Sequence, residues 1–362
     1  MMRRRSTTRI LVGGVKIGGG APISVQSMTN ADTRDIDATV AQIRKLERAG
    51  CDIIRVAVPD RTAAEALGRI KSRIGIPLVA DIHFDYRLAL EAINRGVDKL
   101  RLNPGNIKNP EKIALIADRA KERGIPIRIG VNAGSIDRKR YGYPTPDALV
   151  RSALDEVELL ESRNFADIVI SLKSFDVPTT VEAYRLISGK VEYPLHLGIT
   201  EAGLLRQGTI RSAVGIGALL AEGIGDTIRV SLTADPVEEV NVGIEILKSL
   251  NLRERGFTII SCPTCARCGI DMVRVVTEVE RRLKRMRNLP PIKVAVMGCE
   301  VNGPGEAKDA DVGLAGAKNG GVIFAEGRAL RKVSAESMVN ELMAEVKRIA
   351  DLRLSRPGGI PL

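Results

Sequence analysis

The chain has 362 residues, 44% of them hydrophobic and 27% charged, with five cysteines, no Trp and a formal net charge of +11. Its length allows two domains, and no run approaches the roughly 20 apolar residues of a membrane span. Five cysteines are too few for a disulfide scaffold in a chain this long; clustered as three of them are, they fit a reducing cytoplasm.

The first residues, "MMRRRSTTRI", are basic but lack the apolar stretch of a secretory signal, which agrees with a cytoplasmic location. Five Phe and five Tyr leave few platforms for stacked bases, so nucleic acid is not the expected partner. The basic excess is then either ordinary surface charge or the complement of an anionic small molecule.

From residue 23 to 252, short β-branched runs alternate with helical patterns at a period of about 30 residues. The strand candidates are 23–29, 53–59, 77–84, 99–105, 125–134, 168–174, 194–200 and 227–235. Helical patterns lie between them, such as Ile36, Val40, Ile43 and Leu46 on one face with Gly50 as the stop. Gly96, Gly124 and Gly223 punctuate later helices in the same way. Eight strand–helix units predict a (β/α)8 TIM-type barrel over residues 1–252, with a doubly wound open sheet as the alternative.

Side-chain parity within these strands carries the functional signal. Ile54, Val56 and Val58 share one parity, as do Leu100 and Leu102, Ile127 and Ile129, Ile168 and Ile170, and Leu195 and Leu197. That face suits a helix layer. The opposite parity carries Arg55, Asp81, His83, Arg101, Asn103, Arg128, Asn132, Lys173, His196, Arg229 and Ser231. An antiparallel sheet with one wet face would also alternate, but the intervening helices argue against it. Pointed into a barrel, so many cations with Asp81 as their one acidic neighbour call for a polyanionic ligand, a phosphate or diphosphate. Most lie late in their strands, at the end where barrel active sites form.

After about residue 253 the pattern changes to a small α+β domain, 253–362. A strand in "FTIISCPTC" runs into Cys262, Cys265 and Cys268, and a long helix follows over 271–289. The strand "IKVAVMGC" then delivers Cys299 to the turn "NGPGE"; two short strand-like segments and a terminal helix complete the domain. Cysteines at two-residue spacing fit structural zinc or a [4Fe–4S] cluster. Cys299 lacks the paired Cys-x2-Cys mate of a zinc knuckle, and the surrounding Pro and Gly suit a cluster loop. Both metals remain open on spacing, as do unligated thiols. Cys51 reads as a small buried residue.

The motifs "SVQSMTN", "LVADIHFDYRLAL", "LRLNPGNI", "IPIRIGVNAGS", "PLHLGITEAG", "EGIGDTIRVSLTADPVEEV", "SCPTC" and "GCEVNGPGE" together resemble the 4-hydroxy-3-methylbut-2-enyl diphosphate synthases. These are iron–sulfur enzymes of the non-mevalonate isoprenoid pathway. The resemblance runs in order from about Arg4 to Gly321, in the bacterial two-domain form.

The resemblance implies a two-electron reductive ring opening of 2-C-methyl-D-erythritol 2,4-cyclodiphosphate to 4-hydroxy-3-methylbut-2-enyl diphosphate. It assigns diphosphate binding to Arg55, Arg101, Arg128 and Lys173, helped by Asn103, Asn132 and Ser231. Glu201 of "ITEAG" would be the proton donor or stabiliser near the departing hydroxyl, supported by Asp81, His83 and His196. A [4Fe–4S] cluster would be held by Cys262, Cys265, Cys299 and Glu306, with electrons from flavodoxin or ferredoxin. A head-to-tail homodimer is implied, the cysteine domain of one copy capping the barrel of the other. Cys268 departs from the family pattern and is expected to be a bystander. Two other classes stand beside this reading: a non-redox phosphosubstrate barrel with structural zinc, and a zinc-dependent nucleic-acid-binding module.

Overall fold

The computed structural model describes residues 3–103, 107, 109–286, 288–299 and 309–355. Contacts divide the chain into two units, one ending at Arg253 and the other beginning at Glu254.

The first unit opens with a hairpin, β1 (Ile10–Val12) and β2 (Val15–Ile17), that the sequence pattern did not announce. Eight parallel strands follow: β3 (Ser24–Met28), β4 (Ile53–Val58), β5 (Leu78–Ile82), β6 (Lys99–Leu102), β7 (Ile127–Asn132), β8 (Ile168–Lys173), β9 (His196–Leu197) and β10 (Thr227–Ile228). Each lies inside a predicted run. Their order is β8-β7-β6-β5-β4-β3-β10-β9, and a parallel bridge from Ile170 to Leu195 joins the two ends. The sheet therefore closes on itself, and the open doubly wound alternative is set aside.

Helices α1 (Ile36–Ala49), α2 (Arg61–Lys71), α3 (Tyr86–Asn94), α4 (Pro110–Arg123), α5 (Arg138–Tyr141), α6 (Pro146–Glu161), α7 (Val177–Ser188), α8 (Leu205–Ala221) and α9 (Pro236–Ser249) lie between and after the strands. Most begin where an Asp, Asn or Thr side chain accepts a first-turn N–H. Asp35, Asp60, Asp85, Asn109, Thr145, Asp176 and Asp235 each do so. Gly50 and Gly124 end α1 and α4 in the left-handed conformation, as their placement predicts.

The apolar strand parity faces these helices. Ile54, Val56, Leu100, Ile127, Ile129, Ile168, Ile170, Leu195, Leu197 and Ile228 are all fully buried in one layer with the helices' inner faces. Burying such a side chain stabilises by about 1.5–3 kcal/mol, so this layer is the main source of the barrel's stability. A second, smaller cluster joins Val12 and Ile17 of the hairpin to Ile53 and Val79, the first inward residues of β4 and β5. The hairpin thus stoppers the N-terminal end of the barrel, which leaves the C-terminal end for a site.

The second unit is a five-stranded mixed sheet in the order β11-β12-β13-β14-β15: β11 (Phe257–Ser261), β12 (Ile292–Met297), β13 (Val312–Ala317), β14 (Gly320–Ala325) and β15 (Arg328–Ser334). The first three run parallel and the last two pairings are antiparallel. Helices α10 (Met272–Leu283) and α11 (Met338–Leu354) bury Val275, Val279, Leu342 and Val346 against it.

Two differences from the sequence reading arise here. Three strands follow Cys299 where two segments were expected, because β15 is an exposed edge whose Arg328, Arg331 and Lys332 hide its strand character. It is joined to β14 by Glu326 and Gly327, both at positive φ (50° and 73°), a two-residue turn without the usual Asn-Gly signature. Helix α10 also stops at Leu283 rather than running to 289; Asn288 takes φ 55° and Pro290 follows.

Candidate active site

Register decides which inward residues become neighbours. Asp81 of β5 pairs with Arg101 of β6, and Arg101 in turn with Arg128 of β7. Two inward positions nearer the mouth, Asn132 of β7 pairs with Lys173 of β8. Arg55, Asp81, Arg101, Asn103, Arg128, Lys173 and His196 are all buried. The polar parity read from the sequence is therefore the barrel's filling.

Charges in that filling do not balance. Six basic side chains, Arg55, Lys99, Arg101, Arg128, Lys173 and Arg229, share it with Asp81 and Glu239. Arg101 Nη1 donates to Asp81 Oδ1 at 3.1 Å, and Arg55 Nε lies 3.6 Å from Oδ2. Arg229 Nη2 reaches both oxygens of Glu239 at 3.3 Å. Arg128 has no carboxylate among its hydrogen-bond partners and donates to Ser171 Oγ at 2.5 Å.

The remaining donors point to a missing acceptor. Arg128 Nε and Nη2, Arg101 Nε, Arg229 Nε and His196 Nε2 are buried with no hydrogen-bond partner among the described residues. Burial, then Arg55 and Arg101, push the Arg128 pKa well below its ordinary value. Burial, then Arg128 and Arg229, do the same to Lys173. Arg55 is brought down to about 10, chiefly by burial. Burial and then Lys173 and Arg128 depress His196, so its imidazole is neutral at pH 7. Asp81 moves the other way: burial opposes ionisation, but Arg55, the His83 hydrogen bond and Arg101 outweigh it and hold the carboxyl far down. Cations so crowded and desolvated are held apart by nothing in the described residues except two carboxylates. A bound polyanion would satisfy the orphaned donors and the charge together.

Two glycines make room for this set. A Cβ on Gly130 would stand 2.5 Å from Arg101 Nε, and one on Gly198 would stand 2.6 Å from Lys173 Nζ and 2.4 Å from the Arg229 carbonyl. The cationic side chains lie across bare backbone on β7 and just beyond β9.

The other predicted residues ring the mouth. Asn103 Nδ2 donates to Ser135 Oγ at 2.9 Å, and Asn132, with its amide oxygen turned inward, accepts from Arg101 Nη2 at 3.2 Å. His83 Nε2 lies 3.4 Å from Asp81 Oδ2. Ser231 is half-buried past β10, and Glu201 is exposed past β9 with a left-handed φ of 54°.

Three interior residues lie outside the set that the sequence pattern marked: Lys99, Gln26 and Glu239. Lys99 is fully buried with Nζ 3.4 Å from Gln26 Oε1. It sits on the inward parity of "KLRL", so parity alone could have found it. Glu239 comes from α9 and accepts from Ser27 Oγ, Leu232 N–H and Arg229; no strand pattern points to it.

In the second unit, Cys262 directly follows β11 and Cys299 lies two residues past β12. These strands are parallel neighbours with Ser261 opposite Val296, so both thiols emerge at the same end of the sheet. The N–H of Gly298 donates to Cys262 Sγ at 3.2 Å. Cys265 is exposed, and the Arg267 backbone N–H, with a smaller contribution from its side chain, lowers its thiol pKa. Cys268 Sγ donates to the Ile270 carbonyl at 3.1 Å. Among the described residues no three His, Cys, Asp or Glu side chains are gathered as in a metal centre. Glu306 and the rest of "NGPGE" lie outside the described residues. The donor set itself fits a soft metal group: thiols on loops after adjacent strand ends, one already accepting a backbone N–H as cluster sulfurs do.

Barrel and thiol unit together define a two-domain α/β protein with a TIM-type barrel filled by buried cations and a cysteine-rich second domain. Comparison with known proteins narrows this. A family model described as the GcpE TIM-barrel domain matches residues 7–244, and one described as the GcpE protein C-terminal domain matches 258–348. A relative from Caldanaerobacter subterraneus subsp. tengcongensis is 59% identical over 96% of this chain and 99% of its own length. One from Azotobacter vinelandii is 57% identical over 96% of this chain and 95% of its own. Both carry the name 4-hydroxy-3-methylbut-2-en-1-yl diphosphate synthase (flavodoxin). Among solved structures, dihydropteroate synthases from Yersinia pestis and Stenotrophomonas maltophilia superpose with a TM-score of 0.51 at 14% and 16% identity. Each covers 68% of this chain, and of those chains 100% and 97% are covered. That likeness shows the barrel fold alone. The chain belongs to the GcpE family of 4-hydroxy-3-methylbut-2-en-1-yl diphosphate synthases. Among the described residues no helix is long and apolar enough to cross a membrane.

Proposed function

We propose that this enzyme forms 4-hydroxy-3-methylbut-2-enyl diphosphate by reductive ring opening of 2-C-methyl-D-erythritol 2,4-cyclodiphosphate. Two electrons and a proton enter, the ring C–O bond to the diphosphate breaks, and a hydroxyl leaves as water. The observation that carries the substrate class is the excess of buried cations with orphaned donors inside the barrel.

Arg55, Arg101, Arg128 and Lys173 would hold the diphosphate, with Asn103, Asn132 and Ser231 completing its hydrogen bonds. Gly130 and Gly198 leave those side chains the room to lie there. Asp81 orients Arg55 and Arg101 without neutralising the set. His196, kept neutral, has an Nε2 available to a substrate oxygen, and His83 is anchored by Asp81. Glu201, exposed just past β9, would give a proton to the departing hydroxyl. Excess positive charge at the site also favours the negative charge that the reduction adds to the substrate.

Cys262, Cys265 and Cys299, with Glu306, would hold a [4Fe–4S] cluster. Bound there, it would supply electrons one at a time to the ring opening. Flavodoxin, named with the relatives, would be the donor, with ferredoxin as the alternative. A head-to-tail homodimer is part of this reading; exposed Phe84 and Phe175, just beyond β5 and β8, give the barrel mouth an apolar rim suited to cover by a second copy.

The test is iron, sulfide and zinc content of anaerobically purified protein, a visible spectrum before and after dithionite, and turnover of the cyclodiphosphate with reduced flavodoxin. About four irons and four sulfides per chain with a band that bleaches on reduction supports the reading. One zinc without sulfide, unchanged by reconstitution, overturns its redox part and leaves the anion site.

A further inference from the structure

Gly298 meets three of the four cysteines of the second unit, Cys262, Cys268 and its chain neighbour Cys299. Its N–H donates to Cys262 Sγ at 3.2 Å. Its carbonyl accepts from the Gly269 N–H at 2.7 Å. The next residue in the chain is Cys299. The side of its Cα where a Cβ would stand is taken by Cys268: a Cβ there would come 2.6 Å from Cys268 Sγ, 3.2 Å from Met272 Cγ and 3.4 Å from Cys268 Cβ.

The segment carrying Cys268 is itself wedged. A Cβ on Gly269 would meet the Ala317 and Lys318 backbone at 2.9–3.0 Å, and one on Gly316 would meet Ile270 Cδ1 at 2.6 Å. Residues 268–270 thus fill the space between the ends of β12 and β13, and the thiol of Cys268, tied to the Ile270 carbonyl, faces Gly298 across that wedge.

We propose that Gly298 is the positioning residue of the cluster site and that Cys268 is its packing partner, not a ligand. Because Gly298 has no side chain, the loop after β11 can close with Cys268 against it, and Gly298 itself fixes Cys262 through the N–H bond and Cys299 through the chain. The pairing explains a fourth nearby thiol in a site that is complete without it. Hydrogen bonds to ligating sulfur set cluster potential, so the Gly298 N–H also tunes the redox step. This rests on the reading that the cysteines hold an iron–sulfur cluster.

The test is a double-mutant cycle on the full chain, purified anaerobically: Gly298→Ala, Cys268→Ala and the two together. Iron and sulfide content, iron release to a bipyridyl chelator and the midpoint potential are read for each. Cys268→Ala keeps the wild-type iron content. Gly298→Ala, forced against Cys268, releases iron about tenfold faster, the usual scale for a lost supporting contact, and shifts the potential negative. Removing the sulfur leaves Met272 Cγ, 3.2 Å away on a flexible side chain that can give by a few tenths of an ångström, as the nearest neighbour of the new methyl, so the double variant returns towards wild type in both readouts. Iron loss in Cys268→Ala, wild-type behaviour of Gly298→Ala, or no rescue in the double variant each overturns the proposal. A wild-type protein that binds no iron fails the cluster reading itself, a result distinguishable from all three.

Discussion

Arg101 and Asp81 are bound to each other in the barrel interior, Nη1 to Oδ1 at 3.1 Å, both side chains almost wholly buried and on adjacent strands in register. The pair does not neutralise the site, because Asp81 also faces Arg55 and His83. One carboxylate holds several cations in place while leaving a net positive charge for a ligand.

Replacing Asp81 by Asn would leave Arg55 and Arg101 buried without a counter-charge, a change that costs about 3–5 kcal/mol in comparable settings. Urea unfolding of Asp81→Asn should show that loss in the ligand-free protein. Inorganic pyrophosphate should raise the midpoint of the variant more than that of the wild type, since it supplies the missing negative charge. Equal rises in both would remove Asp81 from the anion site.

Lys99 is buried beneath that layer, with burial, Arg128 and Arg55 pushing its pKa well below the ordinary lysine value. A lysine whose folded pKa is depressed binds fewer protons folded than unfolded, so its contribution to stability improves as pH rises towards the unfolded value near 10.4. Lys99→Met should therefore be more stable than wild type at pH 7, by about 1–3 kcal/mol, with the gap narrowing at pH 9. Its KM for the cyclodiphosphate should rise while kcat changes less. Denaturation at the two pH values and steady-state kinetics check both parts.

What the sequence made legible follows from periodicity. Strand parity separated Ile54 and Val56 from Arg55, and Leu100 and Leu102 from Arg101, because a closed parallel barrel buries both faces in different chemistry. The same rule would have yielded Lys99. Glu239 was out of reach, since it arrives from a helix through tertiary folding and no local pattern marks it. The hairpin β1–β2 was too short to stand out, and β15 reads as polar because an edge strand shows its charges to water. Thiol spacing located the cysteine loops but not the role of Gly298, which depends on which backbone atom faces which sulfur.

Gly198 has a role that composition does not disclose. Gly198→Ala would place a methyl group 2.4 Å from the Arg229 carbonyl and 2.6 Å from Lys173 Nζ. Lysine can withdraw, but the backbone cannot, so a strain of about 1–3 kcal/mol is expected together with a displaced Lys173. Thermal unfolding should report the strain, and pyrophosphate binding by calorimetry should weaken at least about tenfold, roughly one charge-assisted contact. Unaltered pyrophosphate affinity would separate Lys173 from the diphosphate.

Glu201 combines a functional assignment with an unfavourable backbone. Its φ of 54° is left-handed, a conformation that costs a non-glycine residue about 1 kcal/mol or more and is retained chiefly where the side chain is needed. Glu201→Gly should relieve that cost and raise stability by about 0.5–1 kcal/mol. Glu201→Gln keeps the backbone cost and the shape while removing the transferable proton. If the carboxyl serves the departing hydroxyl, both variants should lose about 10²–10⁴-fold in kcat, with KM for the cyclodiphosphate nearly unchanged because the cationic layer that binds it is intact. Thermal unfolding of the two variants separates the backbone effect from the chemical one. A Glu201→Gln enzyme with wild-type kcat would move the proton-donor role to another group, with neutral His196 the next residue to substitute.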